Sequence, residues 1–134
     1  MIAKVSIPVN RKGLHNITAH VVAIVEGSAI KEGLCTLFIQ HTSASLLIQE
    51  GYDPSARVDL EQWLDRLVPE QDSLYTHDLE GPEDMPAHIK SALTATSLAI
   101  PIMDKTLALG TWQGIYLWEH RTIPGERNLI VHIS

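Results

Sequence analysis

The chain of 134 residues carries 10 Lys and Arg against 16 Asp and Glu, a formal charge of -6, with 45% apolar side chains. This is the length of one domain, residues 1–134, able to bury about two thirds of the surface its unfolded form exposes. The acidic balance argues against nucleic acid and anionic membranes as partners, although a local basic pocket for a phosphate is compatible with it.

From the N-terminus, Ile2 to Val9 reads as a strand that stops at an Asn-Arg-Lys-Gly turn signal, and Leu14 to Ile17 as a short second strand. Thr18 is placed to cap a helix running to about Ser28, with Val21, Val22 and Val25 on one face and Gly27 near its end. Leu34 to Gln40 is almost wholly apolar, which predicts a strand buried on both sides. Its Cys35 is the only cysteine, so an intrachain disulfide and a multi-cysteine zinc site are excluded. A reducing compartment, the cytoplasm, is the expected location, since no signal-peptide pattern or ~20-residue apolar span is seen.

Ser45 to Gln49 is a further strand. Asp53-Pro54 then opens a helix with Val58, Leu60, Trp63, Leu64 and Leu67 as its apolar stripe and Pro69 as its stop. After an acidic loop, Asp84 is the expected cap of a third helix, with Pro86 in the first turn and Ile89 and Leu93 on one face. Strands are expected at Ser97–Ile100, Thr106–Leu109, Ile115–Glu119 and Leu129–Ile133. Strands surrounding three helices, without regular βαβ units, indicate an α+β fold on largely antiparallel sheets. No glycine-rich fingerprint or Walker loop supports a nucleotide fold.

Three segments concentrate chemistry. His41, Thr42 and Ser43 form a donor-rich corner between two apolar strands, suited to an oxyanion or simply to satisfying a bend. Ser43 and Ser45 lie in no nucleophile elbow. His77, Asp78, Glu80, Glu83 and Asp84 crowd carboxylates that repel unless they are solvated or a cation neutralises them. His88 falls near a helix start, where it can meet a phosphate, act as general acid, or be satisfied by backbone. In GTWQGIYLWEHR, alternation puts Leu117 and Glu119 on one face and Tyr116, Trp118 and His120 on the other, and Arg121 offers a phosphate fork. His15, His20 and His132 read as structural or surface groups.

FIQHTSAS with QEGYDP, YTHDLEGPEDMPAHIKSAL, and LGTWQGIYLWEHR resemble, in order and spacing, the signature blocks of the UPF0047 (YjbQ-like) family, over essentially the whole chain. The resemblance implies a two-sheet β-sandwich with three short helices, assembled as a homotrimer. It also implies a secondary thiamine-phosphate synthase activity, joining hydroxymethylpyrimidine diphosphate to thiazole phosphate with release of pyrophosphate. By motif, His41, His88, His120 and Arg121 are the expected catalytic and phosphate-side groups. Thr42, Ser43, Trp112 and Gln113 are expected to hold the ligand, a phosphorylated small molecule. His77, Asp84 and Glu119 are the expected ligands of a divalent metal, Mg or Zn. The rival functions are a non-enzymatic trimer that binds a metal or phosphometabolite, and a metal-dependent phosphoester hydrolase. Many relatives have glycine where this chain has Ala95, a difference that matters if the backbone there needs positive φ.

Overall fold

The computed structural model describes all residues, Met1–Ser134. Its elements in chain order are β1 (Ile2–Val9), β2 (Gly13–Asn16), α1 (Thr18–Ser28), β3 (Gly33–Ile39) and β4 (Ala44–Glu50), then α2 (Pro54–Leu67) and α3 (Asp84–Leu93), then β5 (Ser97–Met103), β6 (Thr106–Leu107), β7 (Gln113–Glu119) and β8 (Gly125–Ile133). They build a five-stranded sheet in the order β1-β8-β3-β5-β6 and a three-stranded sheet in the order β2-β7-β4. Every named strand pair is antiparallel. The fold is α+β.

One apolar core joins both sheets. Ile7, Leu37, Ile39, Leu129 and Val131 meet Leu46, Ile115 and Leu117, with Val21 and Val25 of α1 closing the side. A smaller cluster of Leu14, Leu64, Val68, Tyr116 and Trp118 holds α2 on the outer face of the three-stranded sheet. Consequently β7 is buried from Gly114 to Glu119, while β3 is buried on one face only. Cys35, Leu37 and Ile39 point inward, but Leu34 and Phe38 remain 41% and 46% exposed. The two-sided burial expected for this run belongs instead to β7, because α2 covers that sheet and no helix covers the outer face of β3.

Two expected caps are also corrected. Thr18 is the first helical residue of α1, and Asn16 Oδ1 accepts from its N–H at 3.0 Å. Its hydroxyl accepts from Ile115 N–H at 2.9 Å instead, tying α1 to β7. Asp84 is likewise inside α3, and its carboxylate makes no cap bond. Glu83 takes the cap position, and its side chain accepts from Thr122 Oγ1 at 2.7 and 2.8 Å. The Asp53 cap forms as expected, accepting from Ser55 N–H at 2.9 Å.

Strand limits shift where partners differ. β5 continues through Pro101 because the missing N–H falls on the side facing short β6, where only the Pro101 carbonyl is used, by Ala108 N–H. β8 begins four residues earlier than expected, at Gly125, because its polar start pairs with β1 from Val9 onward. Ala95 adopts no positive φ and bridges Leu46, so alanine is accommodated there.

Candidate metal and anion site

The site is built where the chain crosses from one sheet to the other. Gln40 N–H donates to Asn128 O at 3.0 Å as β3 ends, and His120 N–H donates to Ser43 O at 3.1 Å as β4 begins. His41, Thr42 and Ser43 fill the step between. Ser43 N–H donates to His41 Nδ1 at 3.0 Å, which leaves Nε2 as the protonated nitrogen of neutral His41. The ring stays neutral to lower pH than an ordinary histidine, through burial first and then the charges of Arg127, Arg121 and His88.

α3 brings two more groups to this corner. Asp84 and His88 are four residues apart and so share a helix face. His88 Nδ1 lies 3.1 Å from Thr42 O and 3.1 Å from Ser43 Oγ. A carbonyl can only accept, so Nδ1 carries the proton. His88 Nε2 lies 3.1 Å from Asp84 Oδ2, and His77 Nε2, from the acidic loop, lies 2.7 Å from the same oxygen. In neutral His88 that Nε2 is a lone pair facing a carboxylate lone pair. The contact becomes attractive only with a second proton or with a cation between them.

Asp84 is the centre of charge. Its side chain is 1% exposed, and Oδ1 has no hydrogen-bond partner. Burial pushes its carboxyl up. The His77 hydrogen bond and the charges of His88, Arg121 and His77 outweigh burial and hold the pKa below the ordinary carboxylate value. Arg121 Nη1 stands 3.5 Å from Asp84 Oδ1 and 3.8 Å from Glu80, and its Nε is buried with no acceptor.

The donor atoms of His77, Asp84 and His88 lie within 4.8 Å of one another, close enough for one ion. Two imidazoles and a carboxylate suit zinc or another first-row divalent metal better than magnesium, which prefers oxygen. The His88 Nδ1–H bond to a backbone carbonyl is the outer-shell contact that fixes a ligating tautomer. The opposed lone pairs of His88 Nε2 and Asp84 Oδ2 fit a cation here, while Asp84 Oδ1 faces Arg121 Nη1 at 3.5 Å.

Glu119 takes another partner. It is fully buried and bonded by both Nε and Nη2 of Arg127. Burial raises its carboxyl pKa, and Arg127, with the charges of His15 and Arg121, opposes that rise. His120 lies on the opposite face of β7, where Nε2 meets Ser45 Oγ at 2.9 Å beside Trp118. Burial first, then Lys90, with Asp65 opposing and Lys12 adding, pushes its imidazole down to about 3. Trp112 and Gln113 sit at the other end of β7 from Glu119, roughly 20 Å away at ~3.3 Å per residue. There Trp112 stacks edge-on against Tyr52 at 5.1 Å, and Gln113 Oε1 accepts from Gly110 N–H at 2.7 Å. The structure thus gathers His41, Thr42, Ser43, His77, Asp84, His88 and Arg121, and leaves His120, Trp112 and Gln113 outside. Sequence reasoning missed Arg127, whose signal is a charge in register with inward-facing Leu129, Val131 and Ile133.

The family model described as UPF0047 protein YjbQ-like matches residues 3–134. The chain belongs to the UPF0047 family. It is 54% identical to the UPF0047 protein sll1880 of Synechocystis sp. over 123 residues, 92% of this chain and 84% of that protein. It is 41% identical to the UPF0047 protein YjbQ of Escherichia coli O157:H7 over 124 residues, 92% of this chain and 89% of that one. Among solved structures it is similar to an uncharacterised YjbQ/UPF0047 family protein from Clostridium acetobutylicum, with a TM-score of 0.90, 34% identity and coverage of 98% and 99% of the two chains. The conserved hypothetical protein TT1486 of Thermus thermophilus gives a TM-score of 0.87 at 35% identity, again covering 98% and 99%. The family match spans residues 3–134, which include the acidic loop and the His41–Ser43 corner.

Proposed function

We propose that this UPF0047 chain holds a divalent first-row metal on His77 Nε2, His88 Nε2 and the Asp84 carboxylate, and acts there on a phosphorylated small molecule. One observation carries the reading: two imidazole nitrogens converge on a single buried carboxylate oxygen, beside an arginine that makes no hydrogen bond. A cation bound there supplies Lewis-acid stabilisation of phosphate oxygens. Arg121 meets negative charge on the departing group, and His41 donates its Nε2–H. Asp84 and Glu119 are offset by Arg121 and Arg127, so a divalent ion leaves a positive surplus suited to a phosphate dianion. The family resemblance supplies the reaction: hydroxymethylpyrimidine diphosphate is joined to thiazole phosphate, and pyrophosphate leaves, as a secondary activity.

The test is to strip the protein with chelator, reload it separately with zinc, manganese or magnesium, and supply both substrates. Thiamine phosphate and pyrophosphate should form in equal amounts, dependent on metal and lost in His88→Ala. Phosphate release from the diphosphate alone points instead to a hydrolase. Metal binding without any turnover points to the non-enzymatic reading.

Self-assembly as a homotrimer belongs to the same proposal. Trp63, Leu67 and Leu93 stand more than half exposed around an apolar groove of about 540 Å³ between α2, the end of α3 and β4. Covering that groove with neighbouring copies removes a patch that an isolated chain leaves in water. Light scattering at three times 14.8 kDa supports this, and a 14.8 kDa species overturns it.

A further inference from the structure

The other flank of β7 carries a second polar cavity. β4 and β2 pair with opposite edges of β7. β4 leads away from the His41–Ser43 corner, whereas β2 lines a cavity of about 300 Å³ bordered by Arg11, His15, His20 and Arg57. These side chains come from the β1–β2 turn, β2, α1 and α2 in turn. No Asp or Glu lines the cavity, and no member of the His77–Asp84–His88 triad does.

Two of the cationic groups are held in place. Arg11 Nη1 donates to Lys12 O at 2.9 Å and to Glu61 Oε1 at 3.4 Å, and Nη2 donates to Leu14 O at 3.0 Å. Gly13, at φ +122°, makes this possible, since a Cβ there would stand 2.4 Å from Arg11 Nη1 and 2.5 Å from Glu61 Oε1. A guanidinium has five N–H groups, so Arg11 keeps Nε–H and one Nη2–H for a ligand. His15 Nε2 lies 2.9 Å from Arg11 O. A carbonyl only accepts, so Nε2 carries the proton, and Nδ1 becomes a free donor when the ring is charged.

Arg57 and His20 stand in none of the chain's ion pairs or side-chain hydrogen bonds. With 16 Asp and Glu against 10 Lys and Arg, carboxylates are not scarce. Glu61 offsets the charge of Arg11, and nothing offsets that of half-buried Arg57. Gathering it with a second guanidinium and two imidazoles is unfavourable unless an anion comes between them. The placement of the donors also selects the anion. Groups from four elements suit the several oxygens of a tetrahedral phosphate, whereas one arginine fork already satisfies a planar carboxylate. Buried Leu14 and Ile17 supply an apolar part of the lining for a carbon body.

We infer that Arg11, His15, His20 and Arg57 form a second anion site, which takes the phosphate group of a small phosphate ester on the flank of β7 away from the metal triad. It does not rest on the metal reading, and either can fail without the other.

The experiment is an amide NMR titration of the chelator-stripped chain with phenyl phosphate at fixed ionic strength, with benzoate titrated in parallel. Phenyl phosphate should shift the Asn16, His20 and Arg57 amides saturably, and benzoate should bind there at least about tenfold more weakly. Arg57→Gln should weaken phenyl phosphate binding at least about tenfold, as expected for losing charge-assisted hydrogen bonds. His88→Ala should leave it within about twofold, as for an independent site. Should Arg57→Gln fail to fold, exposed and unbonded His20→Gln provides the same test. Absence of saturable shifts at these amides overturns the inference, as does equal affinity for benzoate or undiminished binding in the folded variant. Shifts that vanish in His88→Ala overturn it too, since they would arise at the triad.

Discussion

His88 Nε2 lies 3.1 Å from Asp84 Oδ2, while Nδ1 of the same ring is committed to Thr42 O at 3.1 Å. A neutral ring so held turns a lone pair toward a buried carboxylate. The arrangement asks for a positive charge between the two residues, and His77 Nε2 points at the same oxygen. A metal-binding role follows from this pairing more directly than from the number of acids in the loop.

If Ser43 Oγ and Thr42 O orient His88 for a metal, removing the hydroxyl weakens the site without taking away a ligand. Ser43→Ala should lower metal affinity about tenfold, the lower end of the range for outer-shell contacts. His88→Ala should lower it much further. Competition against a colorimetric zinc chelator measures both. Equal affinities for Ser43→Ala and wild type would contradict an orienting role for the Ser43 hydroxyl.

His120 sets an acid limit on stability. Its pKa in the folded chain is about 3, against about 6.5 when unfolded. Above pH 6.5 both states are neutral and the contribution is fully present. As pH falls from there toward 3, only the unfolded state takes up the proton, so stability is lost. Between pH 7 and pH 4 the loss from this group is roughly 3 kcal/mol. His120→Gln should show a correspondingly shallower fall in urea melts over that range, and a parallel fall would contradict it.

Glu119 and Arg127 are each about nine-tenths buried or more, and they are paired. Arg127→Met leaves an uncompensated carboxylate and should cost about 3–5 kcal/mol in thermal or urea unfolding. The double change Glu119→Gln with Arg127→Met should recover most of that loss, because neither charge remains. A double variant as unstable as the single one would mean that packing, not charge, is what the pair supplies.

Trp112 and Gln113 make the opposite kind of prediction. Since they stand roughly 20 Å along β7 from Glu119, at the strand end away from the His41–Ser43 corner, Trp112→Ala in a single chain should leave zinc affinity within about twofold, against the tenfold expected for outer-shell loss. A larger change, appearing only at concentrations where the chain self-associates, would show that a neighbouring copy brings this end of β7 to the site.

How much of this was legible beforehand depended on whether the signal was local. The Asp53-Pro54 start of α2, the alternation that separates Glu119 from His120, and the run of strands are set by short-range chemistry, and the sequence shows them. The His41, Asp84, His88 and Arg121 grouping came from the family resemblance, because these residues are far apart in the chain and meet only after the sheets pair. Asp84 looked like a cap because its neighbours Glu83 and Pro86 suit a helix start. Its real partners are His77, reached by loop closure, and Arg121, reached across β7. Arg127 stayed hidden because the polar start of β8 does not look like a strand, so its two-residue step from inward-facing Leu129 counts only once pairing with β1 extends β8 back to Gly125. Burial on both faces of β7 likewise depends on where α2 docks, which no periodicity within β7 records.

The most direct measurement is calorimetric titration of zinc into the chelator-stripped chain, with His88→Ala titrated in parallel and its fold checked by circular dichroism. Wild type should bind one ion per chain, and the folded His88→Ala variant should lose that binding. A wild type that binds no zinc, or a folded His88→Ala variant that binds it as tightly, would contradict the assignment of His77, Asp84 and His88 as a metal centre.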